Sequence, residues 1–416
     1  MLLNHARALA LMRQCDIHAL VATSPTNVLY SSDYFCWLDP LFKRYMTRPG
    51  ASADLSHNFA LLPLDGEPAL VVPAMWAANA ADCWVTDVWT HGIGEFDFSA
   101  LPNGEATLLK RIRLGADYAD AVDALYELLR NRGLLDGCIG IELEGLPAGV
   151  QARLREKIPH AELRDCSNLL RVIRMVKSKE ELERLERSAR INVSAATNVL
   201  RGANTGMSLH EPRRQYVEQI TTSGATLDHF IAAPGGTGLI QVPDYRIGPA
   251  DVLYVDFGCV YEHYYSDNGA TLVVGDWSSE MERRYDVLRR GLERGIAELR
   301  PGTHASQVRA AMLEQLAAEG VSDCNAHGHG IGLEVRDYPI IMPAEGRRIR
   351  DNCIDVSADV VLEPDMVVNL ETPLYLFGVG SLHVEQTFVI TPDGCRRIDG
   401  QGETRAVRAG REMMTI

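Results

Sequence analysis

Residues 251–271 read DVLYVDFGCVYEHYYSDNGAT, and two runs of β-branched and aromatic residues in this stretch each lead to an aspartate. The run 252–255 leads to Asp256 and a break at Phe257-Gly258, and the run 260–265 leads to Asp267. Such runs predict two short antiparallel strands. Two carboxylates buried on neighbouring strands repel each other unless a cation lies between them. The stretch therefore predicts a cation site, provided that the rest of the chain supplies more ligands.

Three further candidate ligands follow. They are His329 in the motif GHGIG, Glu371 at the end of VNLE and Glu385 in HVEQT. Each alone is a weak signal, because a lone histidine is more often a hydrogen-bonded core residue and a lone acid often lies in a turn or on a solvated strand. Together, four carboxylates balance the charge of two divalent cations, and an oxygen-rich site with one imidazole suits Mn²⁺, Co²⁺, Fe²⁺ or Zn²⁺. Two such ions about 3.5–4 Å apart lower the pKa of a bridging water and polarise a carbonyl.

Composition limits the partners of this chain of 416 residues. The net charge of −15 argues against nucleic acid or an anionic membrane surface as the main partner. No apolar run approaches the ~20 residues of a transmembrane helix, and the first residues lack a signal-peptide pattern. The nine cysteines are scattered without a CxxC pair, which is typical of reduced thiols in a cytoplasmic protein.

The chain divides into two predicted domains, residues 1–172 and 173–416. In the first, strand patterns alternate with helical patterns, which indicates an α/β domain. In the second, a capping box at Ser178 and Glu181 predicts a helix to about residue 200. The other predicted elements are helices at 2–15, 119–130, 148–157, 279–299 and 305–319, and strands at 19–22, 27–30, 60–62, 69–72, 84–88, 138–142, 252–257, 261–266, 270–274, 367–371 and 384–390. The segment 36–57 fits neither period and predicts a binding loop.

The order of these motifs resembles the M24 metallopeptidase family. An aspartate, a second one eleven residues later, the run GHGIGLEV at 328–335 and two glutamates fourteen residues apart carry the resemblance. The family includes methionine aminopeptidase, Xaa-Pro aminopeptidase and prolidase, and creatinase shares its pita-bread fold. The resemblance implies a creatinase-like N-terminal α/β domain, with similarity at 13–30, followed by a pita-bread catalytic domain. It also implies two divalent metal ions, with the ligand set Asp256, Asp267, His329, Glu371 and Glu385.

The chain departs from the family pattern on the substrate side. Arg336-Asp337 stands where the family has His-Glu, and His383 stands where it has an arginine. The family's second histidine has no counterpart at its usual distance before Asp256, although His229 can take its place if the intervening loop is longer. We expect Glu371 to be both ligand and proton shuttle, with catalytic roles for Arg336, His229 and His383.

Four residues are predicted to bind substrate. They form two pairs, and for each pair an alternative remains open. Arg336 and Asp337 either face a substrate carboxylate or form a surface ion pair. Trp37 and Arg44 lie in the segment 36–57, which either reaches the site of a partner subunit, as in two-domain relatives that are homodimers, or folds onto its own domain.

The leading hypothesis is a dinuclear metal-dependent hydrolase that cleaves an amide or peptide bond, like an Xaa-Pro peptidase, in a dipeptide or another small, carboxylate-bearing substrate. One alternative is an enzyme of the same fold with non-peptidase chemistry, either a lyase or a ring-opening or amidine hydrolase acting on a compatible-solute-like molecule. Another is a pita-bread binding module without catalysis. The complete ligand set argues against the last, because a binding module has no chemical need for four clustered acids.

Overall fold

The computed structural model describes residues 1–37, 57–92, 117–237, 244–343, 345–400 and 406–410. The chain forms two compact units, Met1–Arg174 with Ile349–Val356, and Met175–Arg348 with Ser357–Ile416. The segment Ile349–Val356 therefore packs with the first unit, although it lies far beyond the predicted boundary at 172/173. A mixed helix and sheet fold was predicted for both parts and is confirmed.

The first unit is built on a six-stranded mixed sheet in the order β4-β3-β2-β1-β5-β6. Its strands are β1 Ala19–Ala22, β2 Phe59–Pro63, β3 Ala69–Pro73, β4 Asp87–His91, β5 Cys138–Ile141 and β6 Glu162–Asp165. Its helices are α1 His5–Gln14, α2 Pro25–Ser32, α3 Ala121–Asn131, α4 Ala148–Lys157 and α5 Ser167–Arg174. Apolar residues of the sheet and of α3, among them Val21, Leu61 and Leu125, form one buried core.

The predicted strand at 27–30 is wrong, because these residues belong to α2. The Ser24 side chain accepts a hydrogen bond from the backbone N–H of Asn27, and Pro25 occupies the first helical turn. A side-chain cap followed by proline is a helix start. The β-branched and aromatic residues that suggested a strand therefore lie in a short buried helix.

The second unit is built on a nine-stranded sheet, with β11-β10-β14-β17-β9-β8-β7 as its main path, β18 beside β17 and β19 beside β9. Its strands are β7 Thr226–Ala233, β8 Val252–Tyr261, β9 Tyr264–Val273, β10 His327–Gly330, β11 Asp337–Ile341, β14 Val367–Glu371, β17 Glu385–Thr391, β18 Gly394–Arg397 and β19 Val407–Arg408. Two small hairpins complete the strands of the chain: β12 Arg348–Arg350 with β13 Asp355–Ser357, which lies mostly in the segment Ile349–Val356 of the first unit, and β15 Leu374–Leu376 with β16 Gly380–Leu382 in the second unit. The helices are α6 Lys179–Arg201, α7 His210–Thr222, α8 Ser279–Ile296 and α9 Ala305–Ala318.

The helices α6 and α8 of the second unit each begin at a serine whose side chain caps the helix. The predicted capping box of α6 is confirmed, since the Ser178 side chain accepts from Glu181 N–H and the Glu181 side chain accepts from Ser178 N–H. The cap of α8 was predicted one residue too late, because Ser278 rather than Ser279 accepts a hydrogen bond from the N–H of Met281, at 3.2 Å. Both residues are serines, so only the backbone conformation selects the cap.

The opening stretch forms one long hairpin rather than strands broken at Phe257-Gly258. β8 continues to Tyr261, and the chain turns at Glu262 and His263, which both have positive φ. The predicted break is wrong because Gly258 continues the strand, where it lies opposite Asp267 in the register. The antiparallel pairing of the two aspartate strands is confirmed.

All nine cysteines lie in the described part of the chain, and none forms a disulfide. Within the same residues, no helix combines the length and the apolar character needed to cross a membrane.

Candidate metal centre

Five adjacent strands of the second unit bring the predicted ligands together. Asp256 lies on β8 and Asp267 on β9, while His329 lies on β10 and Glu371 ends β14. Glu385 begins β17, where it pairs with Glu371 on one side and with Gly269 of β9 on the other. The strand register therefore gathers residues that are up to 129 positions apart in the sequence.

Donor atoms in this cluster form three groups that could each hold a cation. They are His229, Asp256 and Asp267; Asp256, His383 and Glu385; and Asp267, His329 and Glu385. Each carboxylate belongs to two groups, and each group has one imidazole. Within a group, the donor atoms all lie within 4.8 Å of one another.

The unsatisfied atoms of this cluster fit divalent cations. Four buried polar atoms of the cluster have no hydrogen-bond partner among the described residues, namely Asp267 Oδ1, His329 Nε2, His383 Nε2 and Glu385 Oε2. Buried polar atoms are normally paired, and four unpaired atoms on facing side chains require an explanation. Oxygen donors with imidazole nitrogen are ligands for Mn²⁺, Co²⁺, Fe²⁺ or Zn²⁺, so the residues present fit the metals that the resemblance implied.

Electrostatics support the same conclusion. Burial raises the pKa of Asp267, and burial raises the pKa of Glu385 well above its usual range, with the neighbouring carboxylates adding to both effects. Burial also opposes ionisation of Asp256, but the hydrogen bond from His229 and the charges of His383 and His229 together outweigh burial and lower the pKa of that carboxyl. Since not all of these acids can ionise together in a buried cluster, bound cations would replace protons there.

His229 lies at the edge of this cluster. Its Nε2 is 2.9 Å from Asp256 Oδ1 and its Nδ1 is 2.8 Å from Asp228 Oδ2. Burial opposes protonation of the ring, yet these carboxylates raise the pKa of His229 to about 12. His229, the candidate for the family's second histidine, therefore lies beside the aspartates, and a Cβ at Gly258 would collide with its ring.

Arg336 reaches the cluster from its exposed side. Its Nη2 lies 3.1 Å from Glu371 Oε1 and 3.2 Å from His327 Nε2, while the side chain is 56% exposed. Asp337 is buried at the start of β11, where its Oδ1 accepts a hydrogen bond from Tyr338 N–H at 2.9 Å. Of this adjacent pair, the arginine is the residue that reaches Glu371.

The remaining predicted site residues differ in their settings. His383 is fully buried, with Nε2 3.5 Å from Glu371 Oε2 and 3.6 Å from Glu385 Oε2. Trp37 belongs to the first unit and is 70% exposed. Arg44 lies outside the described residues, as do Gly238 and Leu239, the positions at the usual distance of the family's second histidine.

Two residues at the centre were missed by the sequence analysis. His327 Nε2 lies 2.6 Å from Glu371 Oε1, and Tyr254 donates a hydrogen bond to Asp256 Oδ2 at 3.0 Å. A signal for both was available, because residues two apart on a strand project to the same face. His327 precedes His329 by two positions, and Tyr254 precedes Asp256 by two.

Glu371 differs from the other acids because protein groups already surround it. Burial opposes its ionisation, but the imidazoles of His327 and His383 outweigh burial and lower its pKa below the usual range. Burial in turn opposes protonation of His327, while its hydrogen bond to Glu371 raises the pKa of that ring. Glu371 and His327 thus form a carboxylate–imidazole pair joined by a short hydrogen bond.

Comparison with known proteins agrees with this geometry. The model of metallopeptidase family M24 matches residues 183–392, and that of the creatinase/prolidase N-terminal domain matches 5–176. An uncharacterized peptidase of Bacillus subtilis is 29% identical over 267 residues, which is 62% of this chain and 72% of that protein. The Xaa-Pro dipeptidase of Pyrococcus furiosus is 26% identical over 283 residues, 66% of this chain and 76% of that protein.

Solved structures show the same fold. The structure of an Xaa-Pro dipeptidase from Bacillus anthracis superposes with a TM-score of 0.74 at 19% identity, covering 97% of this chain and 98% of that one. Prolidase from Pyrococcus furiosus gives a TM-score of 0.69 at 21% identity, covering 95% and 100%. The chain therefore belongs to metallopeptidase family M24, carries a creatinase/prolidase N-terminal domain, and is an enzyme of the metal-dependent peptidase class.

Proposed function

We propose that this enzyme binds two divalent metal ions and hydrolyses an amide or peptide bond in a small substrate, of dipeptide size, that carries a carboxylate. The proposed ligands are Asp256, Asp267, His329, Glu371 and Glu385. The observation that supports this most directly is the set of buried, unpartnered donor atoms among these side chains. Two divalent ions would balance four carboxylates and would satisfy those atoms together.

The bound ions would polarise the scissile carbonyl and lower the pKa of a water, as dinuclear hydrolase sites do. We propose that Glu371 accepts the proton of the attacking water. His327 Nε2 lies 2.6 Å from Glu371 Oε1, and this hydrogen bond keeps the carboxylate ionised and therefore able to accept that proton. Arg336 cannot take this role, since guanidinium stays protonated at neutral pH.

Arg336 is proposed to bind the carboxylate of the substrate. Within the described part of the chain, Nη2 makes both contacts with Glu371 and His327, while Nη1 and Nε take no part in them. Nη1 can donate to one oxygen of a substrate carboxylate, and the permanently charged guanidinium attracts that group. The permanent charge at this position favours an acidic substrate over an ordinary Xaa-Pro peptide.

The same arginine favours a second candidate function, non-peptidase chemistry on a small charged molecule, by a lyase or a ring-opening or amidine hydrolase. The histidine that contacts the substrate carbonyl in peptidases of this family is replaced, while the metal ligands are complete. A metal analysis followed by a screen of dipeptides against small amides and betaines separates the two functions. Turnover of dipeptides with a free carboxylate supports the first, and turnover of betaines or cyclic amides alone supports the second.

We also propose that the chain works as a homodimer in the cytoplasm, with the segment 36–57 of one copy reaching the site of the other. Trp37, an exposed indole at the described end of that segment, supports a contact surface there. Sedimentation of the active enzyme tests the proposal. A fully active monomer would show that no partner subunit is needed.

A further inference from the structure

His383 is packed against β8 and β9, next to the candidate metal ligands. Its side chain is fully buried, and its ring stacks on Tyr254 with centroids 4.1 Å apart and planes 10° apart. Its backbone N–H donates to Thr271 Oγ1 at 2.8 Å. Any Cβ at position 269 would collide with His383 Nδ1, so Gly269 makes the space for this imidazole. Such packing fixes the direction in which Nε2 points.

The ring nitrogens of His383 are arranged like those of His329, the predicted ligand. His329 Nδ1 lies 2.9 Å from Gly330 O, and His383 Nδ1 lies 3.3 Å from Val255 O. A carbonyl can only accept, so Nδ1 carries the proton in both rings and Nε2 of the neutral ring keeps a bare lone pair. Metal-binding histidines are oriented in this way by a bond from the other nitrogen.

The surroundings of the two bare nitrogens also match. His329 Nε2 lies 3.6 Å from Asp267 Oδ2, and His383 Nε2 lies 3.5 Å from Glu371 Oε2 and 3.6 Å from Glu385 Oε2. In the part of the chain that the structure describes, neither nitrogen has a hydrogen-bond partner. Two ligands that are each about 2.1 Å from one ion lie roughly 3.0–3.6 Å apart, so these distances suit neighbouring ligands of a common cation.

His229 provides the contrast. Both of its nitrogens lie within hydrogen-bond distance of carboxylates, at 2.8 Å and 2.9 Å. Its Nε2 is also closer to Asp256 than ligands of one ion usually are to each other. His229 therefore acts as a hydrogen-bond partner of the acids rather than as a bare donor.

We propose that His383 is a sixth metal ligand, which completes a cation position with Asp256 and Glu385. This inference rests on the proposed metal centre. The family resemblance implied a single imidazole in the whole centre, whereas the geometry assigns one imidazole to each of the two ions. Because imidazole is a better ligand for Zn²⁺, Co²⁺ and Fe²⁺ than for Mn²⁺, the position with His383 should prefer the former metals.

The decisive variants are His383→Asn and His383→Gln. The amide nitrogen of asparagine lies near the position of Nδ1, so it keeps the bond to Val255 O and removes the ligand atom. The amide oxygen of glutamine lies near the position of Nε2 and remains a weak ligand. His160→Gln, at an exposed position of the first unit, is the matched control. All proteins are stripped with a chelator and titrated with Co²⁺ by calorimetry, and X-ray absorption counts the imidazoles around cobalt.

The wild-type protein is expected to bind two ions with a mean of about one imidazole per ion. His383→Asn should bind one of them at least about tenfold more weakly, with a mean near one half when both sites are filled, and His383→Gln should fall between. Metal-free melting temperatures of wild type and His383→Asn should agree. Wild-type affinity for both ions and an unchanged imidazole count in a folded His383→Asn would overturn the inference. Wild-type protein that binds fewer than two ions would instead refute the proposed dinuclear centre.

Discussion

Each unit of this chain buries glutamate beside a sheet, and the two environments are opposite. In the first unit, Glu142 is buried but fully engaged: Oε2 accepts from the N–H groups of Thr23 and Ser24, both at 2.8 Å, and Oε1 accepts from Asn27 Nδ2 at 2.6 Å. In the second unit, Glu385 Oε2 is buried, and no described residue forms a hydrogen bond with it. A carboxylate with three donors stabilises a fold by itself, whereas one that faces other acids depends on a cation.

The largest effect is expected where the unsatisfied cluster is broken. Asp256→Ala should remove bound metal and lower activity roughly a thousandfold or more, because about 4 kcal/mol of transition-state stabilisation is lost with the ions. Elemental analysis and hydrolysis of carboxylate-bearing dipeptides measure the two losses. Asp276→Ala, at an exposed position after β9, is the control and should change neither. Full metal occupancy in a folded Asp256→Ala would rule out the ligand assignment.

Glu371 resembles Glu142 in having protein partners, since Arg336 and His327 contact it, although it lies in the acidic cluster with Glu385. Arg336→His should weaken binding of a carboxylate-bearing substrate by about 1.5–3 kcal/mol, the value of hydrogen bonds to a charged group, which raises KM roughly ten- to hundredfold. Arg336→Lys keeps the charge without the planar pair of donors and should recover only part of the loss. Cleavage of uncharged Xaa-Pro amides by the wild-type enzyme at about 10 s⁻¹, a typical enzyme rate, would contradict a role for the arginine in selecting acids.

A pair of glutamine substitutions tests the comparison itself. Glu142→Gln replaces an acceptor for three donors by a group that brings its own donor, and should lower the free energy of unfolding by about 1–3 kcal/mol. Glu385→Gln removes a charge from a repulsive cluster, so metal-free protein should be as stable as wild type or more stable, while its metal affinity falls. Urea unfolding in the presence of a chelator measures both variants. Equal destabilisation by the two changes would show that both glutamates are structural.

The smallest effect is expected at the surface, where Arg290 holds Glu319 in a short ion pair at the end of α9. This pair lowers the pKa of Glu319 to about 2. A lowered pKa in the folded state stabilises the protein above the ordinary pKa of the group, and this contribution disappears as the pH falls from about 4.5 towards 2. Because the pair is solvated, Glu319→Gln should cost less than about 1 kcal/mol at pH 7 and nothing near pH 2. Urea midpoints at both pH values measure the difference, and a larger loss at low pH would contradict the assigned sign.

Residue types and local patterns alone predicted the chemistry of the centre and the starts of several helices. The identity and order of Asp256, Asp267, His329, Glu371 and Glu385 predicted a cation site before any contact was known, because four acids and an imidazole have few other uses in a buried cluster. Ser178 and Glu181 predicted the start of α6 in the same way, since a capping box is a local interaction of neighbouring residues. Such features need only the chain near them, or a recognisable set of ligand types.

Which histidines reach that centre depends on the pairing of distant strands. The register of β7 on β8 sets Gly258 beside His229, and the pairing of β17 with β9 brings His383 beside Gly269. A one-residue change of register would turn these side chains to the other face of the sheet. His327 is an ordinary histidine in the sequence, because its contact with Glu371 joins residues that neighbouring strands bring together, and strand pairing over such distances has no local signal.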